Sequence, residues 1–293
     1  MDFGLVLPSY RDGASTDSID AAGETAARLG WHSVFTTDHI LVDRSERSSD
    51  YFNVFDAVAT VAHVAARQPT LLVGISVIVV PMRNAVVLAK ELATLDALSN
   101  GRLIAGVGVG WNETEFASVG AGDRFHVRGA YLDEAIALWR QLWRGEEGPF
   151  HGRFHEFEEI RFGPLPAQGE NLTVWVGGRN PAALRRAGRL GQGYHSSASG
   201  PDSYEPRIPI VRAAADEAGR PPPTFSARFR VAFGEHQTPF YMLTGDPDAM
   251  IAEIRSFEAL GVSHVAVDFA ETDAERGRDL VERFDREVAS AFR

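Results

Sequence analysis

The sequence predicts a (β/α)8 barrel, on three observations. Eight short apolar or alternating runs are each followed by a helical pattern. One strand–helix–strand unit is complete within residues 70–111. Three helices stop on the same step before the next strand, at Leu29-Gly30-Trp31, Leu190-Gly191-Gln192 and Leu260-Gly261-Val262. The unit at 70–111 is the clearest part. Leu71 to Val80 is a near-continuous apolar run rich in β-branched residues, as expected of a strand buried on both faces in a parallel sheet, and Pro81 stops it. From Asn84 the period changes to 3.6 residues, with Leu88, Leu92 and Leu95 on one face, until Ser99-Asn100-Gly101 ends the helix with a glycine suited to positive φ. Leu103 to Val109 is the next strand, which completes a βαβ unit.

Taken in order, Phe3 to Leu7 is the first strand, ending at Pro8-Ser9, and Ser18 to Leu29 is an amphipathic helix stopped by Gly30. Ser33 to Thr37 is the second strand and ends in Asp38-His39. A polar loop with Arg44, Glu46 and Arg47 leads to a helix from Asn53 to Arg67, with Val54, Val58 and Val61 on its inner face. After strands three and four, a helix from Val127 to Trp143 carries Leu132, Ile136 and Trp139 inward. Residues 144–171 are rich in Gly and Pro but hold Phe150, Phe154, Phe157 and Phe162, too many aromatics for a free linker. They read as a packed insertion near the barrel mouth. Thr173 to Gly177 is strand five, followed by a helix opened by Pro181 and closed by Gly191. Tyr194 to Ser197 is strand six, Tyr204 to Ala218 is helical, Phe225 to Phe233 is strand seven, Pro247 to Leu260 is helical, and Val262 to Phe269 is strand eight before a last helix.

A chain of 293 residues with 44% hydrophobic content can bury one large core, and α/β barrels of this length fold as one domain, so residues 1–293 are read as a single barrel. The competing architecture is an open doubly wound sheet. It lacks its fingerprint here, because Trp111 stands where a third glycine after Gly106 and Gly108 is needed. There are no cysteines, which excludes disulfides and thiolate chemistry and suits a cytoplasmic location. Met1-Asp2-Phe3-Gly4 enters a strand without a basic leader, and the longest apolar run is about ten residues, too short to span a bilayer. A net charge of −11 with no Lys/Arg-rich run argues against nucleic acid or an anionic membrane and leaves a small-molecule substrate. Lys90 is the single lysine and lies mid-helix, away from any strand end, so imine chemistry is not expected.

In a barrel the chemistry collects at the carboxyl ends of the strands. Asp38-His39 is the most reactive pair there, an imidazole able to exchange a proton near neutral pH beside a carboxylate. Ser76 puts a hydroxyl inside an apolar strand where packing has no use for one, with Gly74 nearby marking a bulge or a close approach. Strand four ends in Gly106-Val107-Gly108-Val109-Gly110 and offers bare backbone to the mouth. Gly177-Gly178-Arg179-Asn180-Pro181 places backbone N–H groups and a guanidinium at a helix start, a cradle for an anion such as a phosphate. No metal site is expected: His151 and His155 are four apart, but Gly152 replaces the glutamate that a His-Glu-x-x-His site requires. Glu113 and Glu235, at the ends of strands four and seven, could serve a paired-carboxylate hydrolase, though nothing in the sequence sets their separation.

The chain resembles the bacterial-luciferase-like family, in particular its branch that uses the deazaflavin coenzyme F420. The resemblance is carried by FTTDHI, by LAKELATLDALSNGRL running into IAGVGVGWNETEF, by FHGRFHEFEEIRFGPLP, by VWVGGRNPAALRRAGRLGQGYH and by LTGDPDAM. It implies a (β/α)8 barrel in which the deazaflavin ring lies on strand three at a bulge with a non-proline cis peptide, here Ser76-Val77. It implies that Asp38 contacts the cofactor and that His39 gives or takes the proton beside the transferred hydride. The stretch Gly108-Val109-Gly110 and Gly177, Gly178, Arg179 and Asn180 would hold the ribityl-phosphate arm, and a homodimer would form through helices flanking strands two to four.

In the sugar-phosphate dehydrogenases of this branch an acidic residue follows the strand-four glycines and a tryptophan follows the histidine. Here those places hold Trp111 and Ile40-Leu41-Val42-Asp43. The expected substrate is therefore apolar or aromatic, in a pocket with Trp111 and Glu113, and Phe150 and Phe154 would add to its apolar mouth. The alternatives are a monooxygenase using reduced FMN and oxygen, and a non-catalytic flavin-binding barrel.

Overall fold

The computed structural model describes residues 1–293 apart from the side chains of Glu46 and Arg47, so those two members of the expected polar loop lie outside the described side chains. The barrel strands are β1 (Asp2–Val6), β2 (Ser33–Thr36), β3 (Leu72–Ile75), β4 (Leu103–Gly108), β5 (Thr173–Gly177), β6 (Gly193–Ser197), β7 (Thr224–Phe233) and β8 (His264–Asp268). Each pairs in parallel with its sequence neighbour except where β8 returns to β1, with Phe3 opposite Val265, and that last ladder closes the ring. Closure excludes the open doubly wound sheet. It also makes the carboxyl ends of all eight strands the rim of one mouth.

Helices α1 (Thr16–Arg28), α2 (Ala57–Arg67), α3 (Ala85–Leu98), α4 (Glu113–Ser118), α5 (Arg128–Arg144), α6 (Pro181–Leu190), α7 (Ile208–Glu217), α8 (Pro247–Ala259) and α9 (Ala274–Glu287) fill the connections. Seven of them start on a side-chain cap, from Ser15, Asp56, Asn84, Asn112, Asn180, Asp246 and Asp273. Each cap accepts a first-turn N–H that would otherwise be unpaired. Because each barrel helix starts after a strand, these caps set how the chain leaves the mouth. The α2 helix begins at Ala57, four residues later than the apolar pattern suggested, because Asp56 takes the cap. The short helix α4 and a strand at Met242–Gly245 beside β7 were not read from the sequence.

The expected strand three is broken. After Ile75 the chain lifts out of the ladder at Ser76-Val77, whose peptide bond is cis, and pairing with β4 resumes at Ile78–Val79. The neighbouring glycines make room for this bulge. A Cβ on Gly106 would lie 1.9 Å from the Ile75 carbonyl oxygen, and one on Gly108 would lie 2.5 Å from Val77 Cγ2. These two glycines, read as backbone bared to the mouth, thus serve the close approach of the adjacent strand.

The barrel interior is not wholly apolar. Val6, Phe35, Ile104, Trp175 and Ala266 form its inner cluster, but a buried hydrogen-bonded chain crosses it. The Ser76 hydroxyl meets His195 Nε2 at 2.7 Å, and His195 Nδ1 meets the Ser226 hydroxyl at 2.8 Å. The Ser226 hydroxyl meets His264 Nδ1 at 2.8 Å, and His264 Nε2 meets the Ser33 hydroxyl at 2.8 Å. Burial, with Arg228 adding to it, pushes the His195 imidazole down to about 3. Burial pushes His264 well below its ordinary value too. Both rings are neutral, and their partners satisfy groups that a dry core would otherwise penalise. The odd hydroxyl of Ser76 belongs to this chain.

Residues 144–171 contain a small antiparallel hairpin, Phe150–His151 with Glu156–Phe157. The Glu134 carboxylate of α5 accepts the N–H groups of Arg153, Phe154 and His155 at 2.6, 2.9 and 2.8 Å. Lys90 of α3 meets the Gly163 carbonyl and the Phe162 ring, and Gln168 bonds Asp96 and the Leu103 carbonyl at the start of β4. From Arg153 to Gln168 the segment therefore runs down the flank formed by α3 and α5, and its two ends meet where Arg144 pairs with Glu170. Phe154 lies against Tyr131 and Phe150 against Phe157. Among the described residues, no helix is long and apolar enough to cross a membrane.

Candidate active site

The loop after β2 carries Asp38 and His39, and they point to different duties. Asp38 has no exposed side-chain surface; its Oδ2 accepts the Val79 N–H at 2.8 Å and its Oδ1 accepts from Arg83 Nη2 at 2.6 Å. Burial works against the Arg83 charge, and the Asp38 carboxylate outweighs it, so the guanidinium is held more firmly charged than usual. Asp38 braces the chain just beyond the bulge.

His39 is held from three sides. Its Nδ1 lies 2.9 Å from Glu115 Oε2, the Tyr51 ring centroid is 4.2 Å from its own, and Trp111 meets it edge-on at 5.8 Å. The Glu115 side chain is only 3% exposed, and its other oxygen accepts the Ile40 N–H at 2.6 Å. Among the described residues no group is hydrogen-bonded to His39 Nε2.

Beyond Tyr51 lies a buried charged wall. Tyr51 stacks on Tyr10 at 5.6 Å, and the Tyr10 hydroxyl donates to Asp268. Burial and then the Asp268 charge push the Tyr10 phenol well up, so it stays protonated as the donor. Arg228 meets Asp268 Oδ2 at 3.2 Å and donates to the Ser76 carbonyl at 2.5 Å. Burial opposes the Asp268 charge, but Arg228 and Arg11 overcome it and hold the carboxyl below the usual range. Ser76 is thus fixed at both ends, its hydroxyl by His195 and its carbonyl by Arg228.

Val77 projects between the two glycine stretches, and a Cβ on Gly177 would lie 3.0 Å from its Cγ1. Gly110, at φ +74°, sits against Val79, and Val109 is partly buried beside the core. At the end of β5, Gly178 has φ +130° and takes a hydrogen bond from the Tyr194 hydroxyl at 2.9 Å. Asn180 caps α6 by accepting the Ala183 N–H at 2.8 Å. Arg179 is exposed and makes no ion pair among the described residues. The fold therefore brings Ser76, Val77, Gly108, Gly110, Gly177 and, through Val79, Asp38 to one rim. Glu113 is exposed and faces His126 at 3.6 Å. His151 lies within 4.8 Å of Glu156 and Glu158, all three exposed, while His155 turns to Glu134.

Sequence reasoning missed Glu115, Tyr51 and Arg228. The spacing Asn112-x-x-Glu115 has the form of a capping box, which hides Glu115 as a helix-start residue. Asn112 does cap α4, accepting the Glu115 N–H at 3.3 Å, but the glutamate side chain turns to His39 instead of back to the cap. Only the alternation of strand seven, which puts Arg228 inside the barrel, could have flagged that arginine.

The family model described as luciferase-like monooxygenase matches residues 1–239. The chain belongs to the luciferase-like monooxygenase family. Residues 240–293, outside that match, supply β8 and the last helices of the family's barrel. The chain is 32% identical over 200 residues to an F420-dependent glucose-6-phosphate dehydrogenase of Mycolicibacterium fortuitum, a match that covers 67% of this chain and 58% of that protein. It therefore spans less than two thirds of the length of the curated relatives it matches. Among solved structures, the F420-dependent tetrahydromethanopterin reductase of Methanopyrus kandleri superposes with a TM-score of 0.80 at 18% identity, covering 100% of this chain and 99% of that one. The monooxygenase RslO1 of Streptomyces bottropensis superposes with a TM-score of 0.82 at 20% identity, covering 100% of both chains. These likenesses place the family's fold on this chain, and both chemistries named in them share it.

Proposed function

We propose that this protein is an F420-dependent oxidoreductase that moves a hydride between the deazaflavin coenzyme and an apolar or aromatic organic substrate. The observation that carries the reading is His39, held by Glu115 with Nε2 open, on the rim that also carries the Ser76-Val77 bulge. The donor set fits the cofactor's anionic arm: the exposed Arg179, the N–H groups at the start of α6 and the glycines at 177–178 are all uncommitted to protein carboxylates. Bound coenzyme F420 supplies the carbon that gives or takes the hydride. Val77, seated on the glycines of β4 and β5, offers an apolar surface to a flat ring, and Arg228 and His195 keep Ser76 from moving beneath it. Asp38 supports that surface through Val79. His39 exchanges the substrate's proton at Nε2, and Tyr51 and Trp111 exclude water around it.

The tryptophan at 111 and the exposed Ile40, Leu41 and Phe52, at 43%, 55% and 64%, favour an apolar substrate over a sugar phosphate. The F420 named in the curated relatives that match in sequence favours the deazaflavin over FMN. Anaerobic titration with reduced F420 and reduced FMN tests this. Tight FMN binding with oxygen consumption refutes it, as does a His39→Ala variant that turns over a found substrate normally. A cytoplasmic homodimer completes the reading: Val87 and Leu98 on α3 are 54% and 77% exposed, an apolar face for a second copy. Light scattering that gives a monomer at micromolar concentration rejects the dimer.

A further inference from the structure

We infer that Glu115 is the positioning residue of His39: it holds the ring hydrogen on Nδ1 and so makes Nε2 the single nitrogen that exchanges protons. The catalytic part of this inference rests on the reading of His39 given above; the tautomer does not.

The geometry allows one arrangement. An ionised carboxylate only accepts hydrogen bonds. Glu115 Oε1 is taken by the Ile40 N–H at 2.6 Å, and Oε2 faces His39 Nδ1 at 2.9 Å. The ring must then carry its hydrogen on Nδ1 whether it is neutral or charged. Among the described residues, no group other than Glu115 is hydrogen-bonded to Nδ1. The Tyr51 ring lies tilted against the imidazole at 4.2 Å, and the adjacent Asp38 is spent on Val79 and Arg83. When substrate is oxidised, the proton it gives up would pass to Nε2 while its C–H electron pair would leave as hydride to bound F420. When substrate is reduced, the Nε2–H bond would supply the proton and the substrate carbon would receive the hydride from bound reduced F420. In both directions Nδ1 keeps its hydrogen and Glu115 its charge.

Replacing Glu115 with Gln reverses this logic at constant shape. The amide oxygen is needed by the Ile40 N–H, so the NH2 group faces Nδ1, which must now accept, and the neutral ring is driven to carry its hydrogen on Nε2. A nitrogen already protonated cannot take the substrate's proton. The corresponding Asp→Asn change in a Ser-His-Asp triad lowers kcat by about 10⁴-fold; here a loss of about 10³-fold or more in kcat with little change in KM is expected.

The test is long-range ¹H–¹⁵N correlation of the histidine rings in the cofactor-free protein at a pH where His39 is neutral, with His39→Ala identifying its signals. Wild-type protein should show a protonated Nδ1 and a bare Nε2, and Glu115→Gln the reverse. A wild-type ring with its hydrogen on Nε2 overturns the inference, and this holds even if the variant fails to fold. Unchanged tautomers in a folded Glu115→Gln variant overturn it as well. A reversed tautomer with unaltered turnover leaves the tautomer assignment standing and refutes His39 as the proton carrier.

Discussion

Acidification should destabilise this protein well before its carboxylates titrate, because two histidines are buried neutral inside the barrel. His195, pushed down to about 3 when folded, regains its ordinary value of 6.5 when unfolded. The unfolded chain then binds the extra proton, so stability falls as the pH drops through the unfolded value and keeps falling toward the folded one. Between about pH 7 and about pH 5 this one residue contributes a loss of about 1.9 kcal/mol. His264, held well below its ordinary value by burial and by its histidine neighbours, contributes a loss in the same direction. Urea unfolding followed by circular dichroism at several pH values measures this. A His195→Asn variant starts from a lower stability, since Ser76 and Ser226 lose a partner, but its stability should fall by about 1.9 kcal/mol less than that of wild type over the same window. Parallel pH dependences in the two proteins would mean that His195 is not held neutral, and the account of the interior chain would be wrong.

Three further outcomes follow from the same geometry. Asp38→Asn removes the carboxylate opposite a mostly buried Arg83 and should cost about 2–3 kcal/mol, after allowance for Asp56, which remains 3.4 Å from the guanidinium; chemical denaturation reads it. Gly106→Ala drives a methyl into the Ile75 carbonyl, a 1.9 Å contact with backbone, and should cost about 3 kcal/mol or prevent folding, whereas Gly148→Ala meets nothing within 4 Å and should change stability by under about 0.5 kcal/mol. Arg179→Ala should weaken F420 binding by about 3–10-fold at low salt and less at high salt, measured by fluorescence titration; equal affinities at low salt would remove Arg179 from the cofactor site.

The local parts of the fold were legible because periodicity and stop signals are properties of neighbouring residues. The βαβ unit at 70–111, the Leu-Gly helix ends and strand five at Thr173–Gly177 could be read directly, and the strand count then required a barrel. The rim position of Asp38-His39 followed from the rule that strand ends form the mouth. Ser76 was recognisable as out of place, though not its partner, which lies 119 positions away on β6.

The amino-acid sequence by itself determined the barrel, its chain order and the residue types available at the mouth. Tertiary structure alone decided which of those residues are spent and which are open. It gave Gly106 and Gly108 to the bulge, committed Asp38 to Arg83 and Val79, and turned Glu115 from a helix start to the His39 ring. The reason is physical: a strand or helix announces itself through contacts three or four residues apart, whereas the state of a polar side chain depends on what closes over it. In a closed barrel that partner comes from another strand or loop, at a sequence distance no local pattern records.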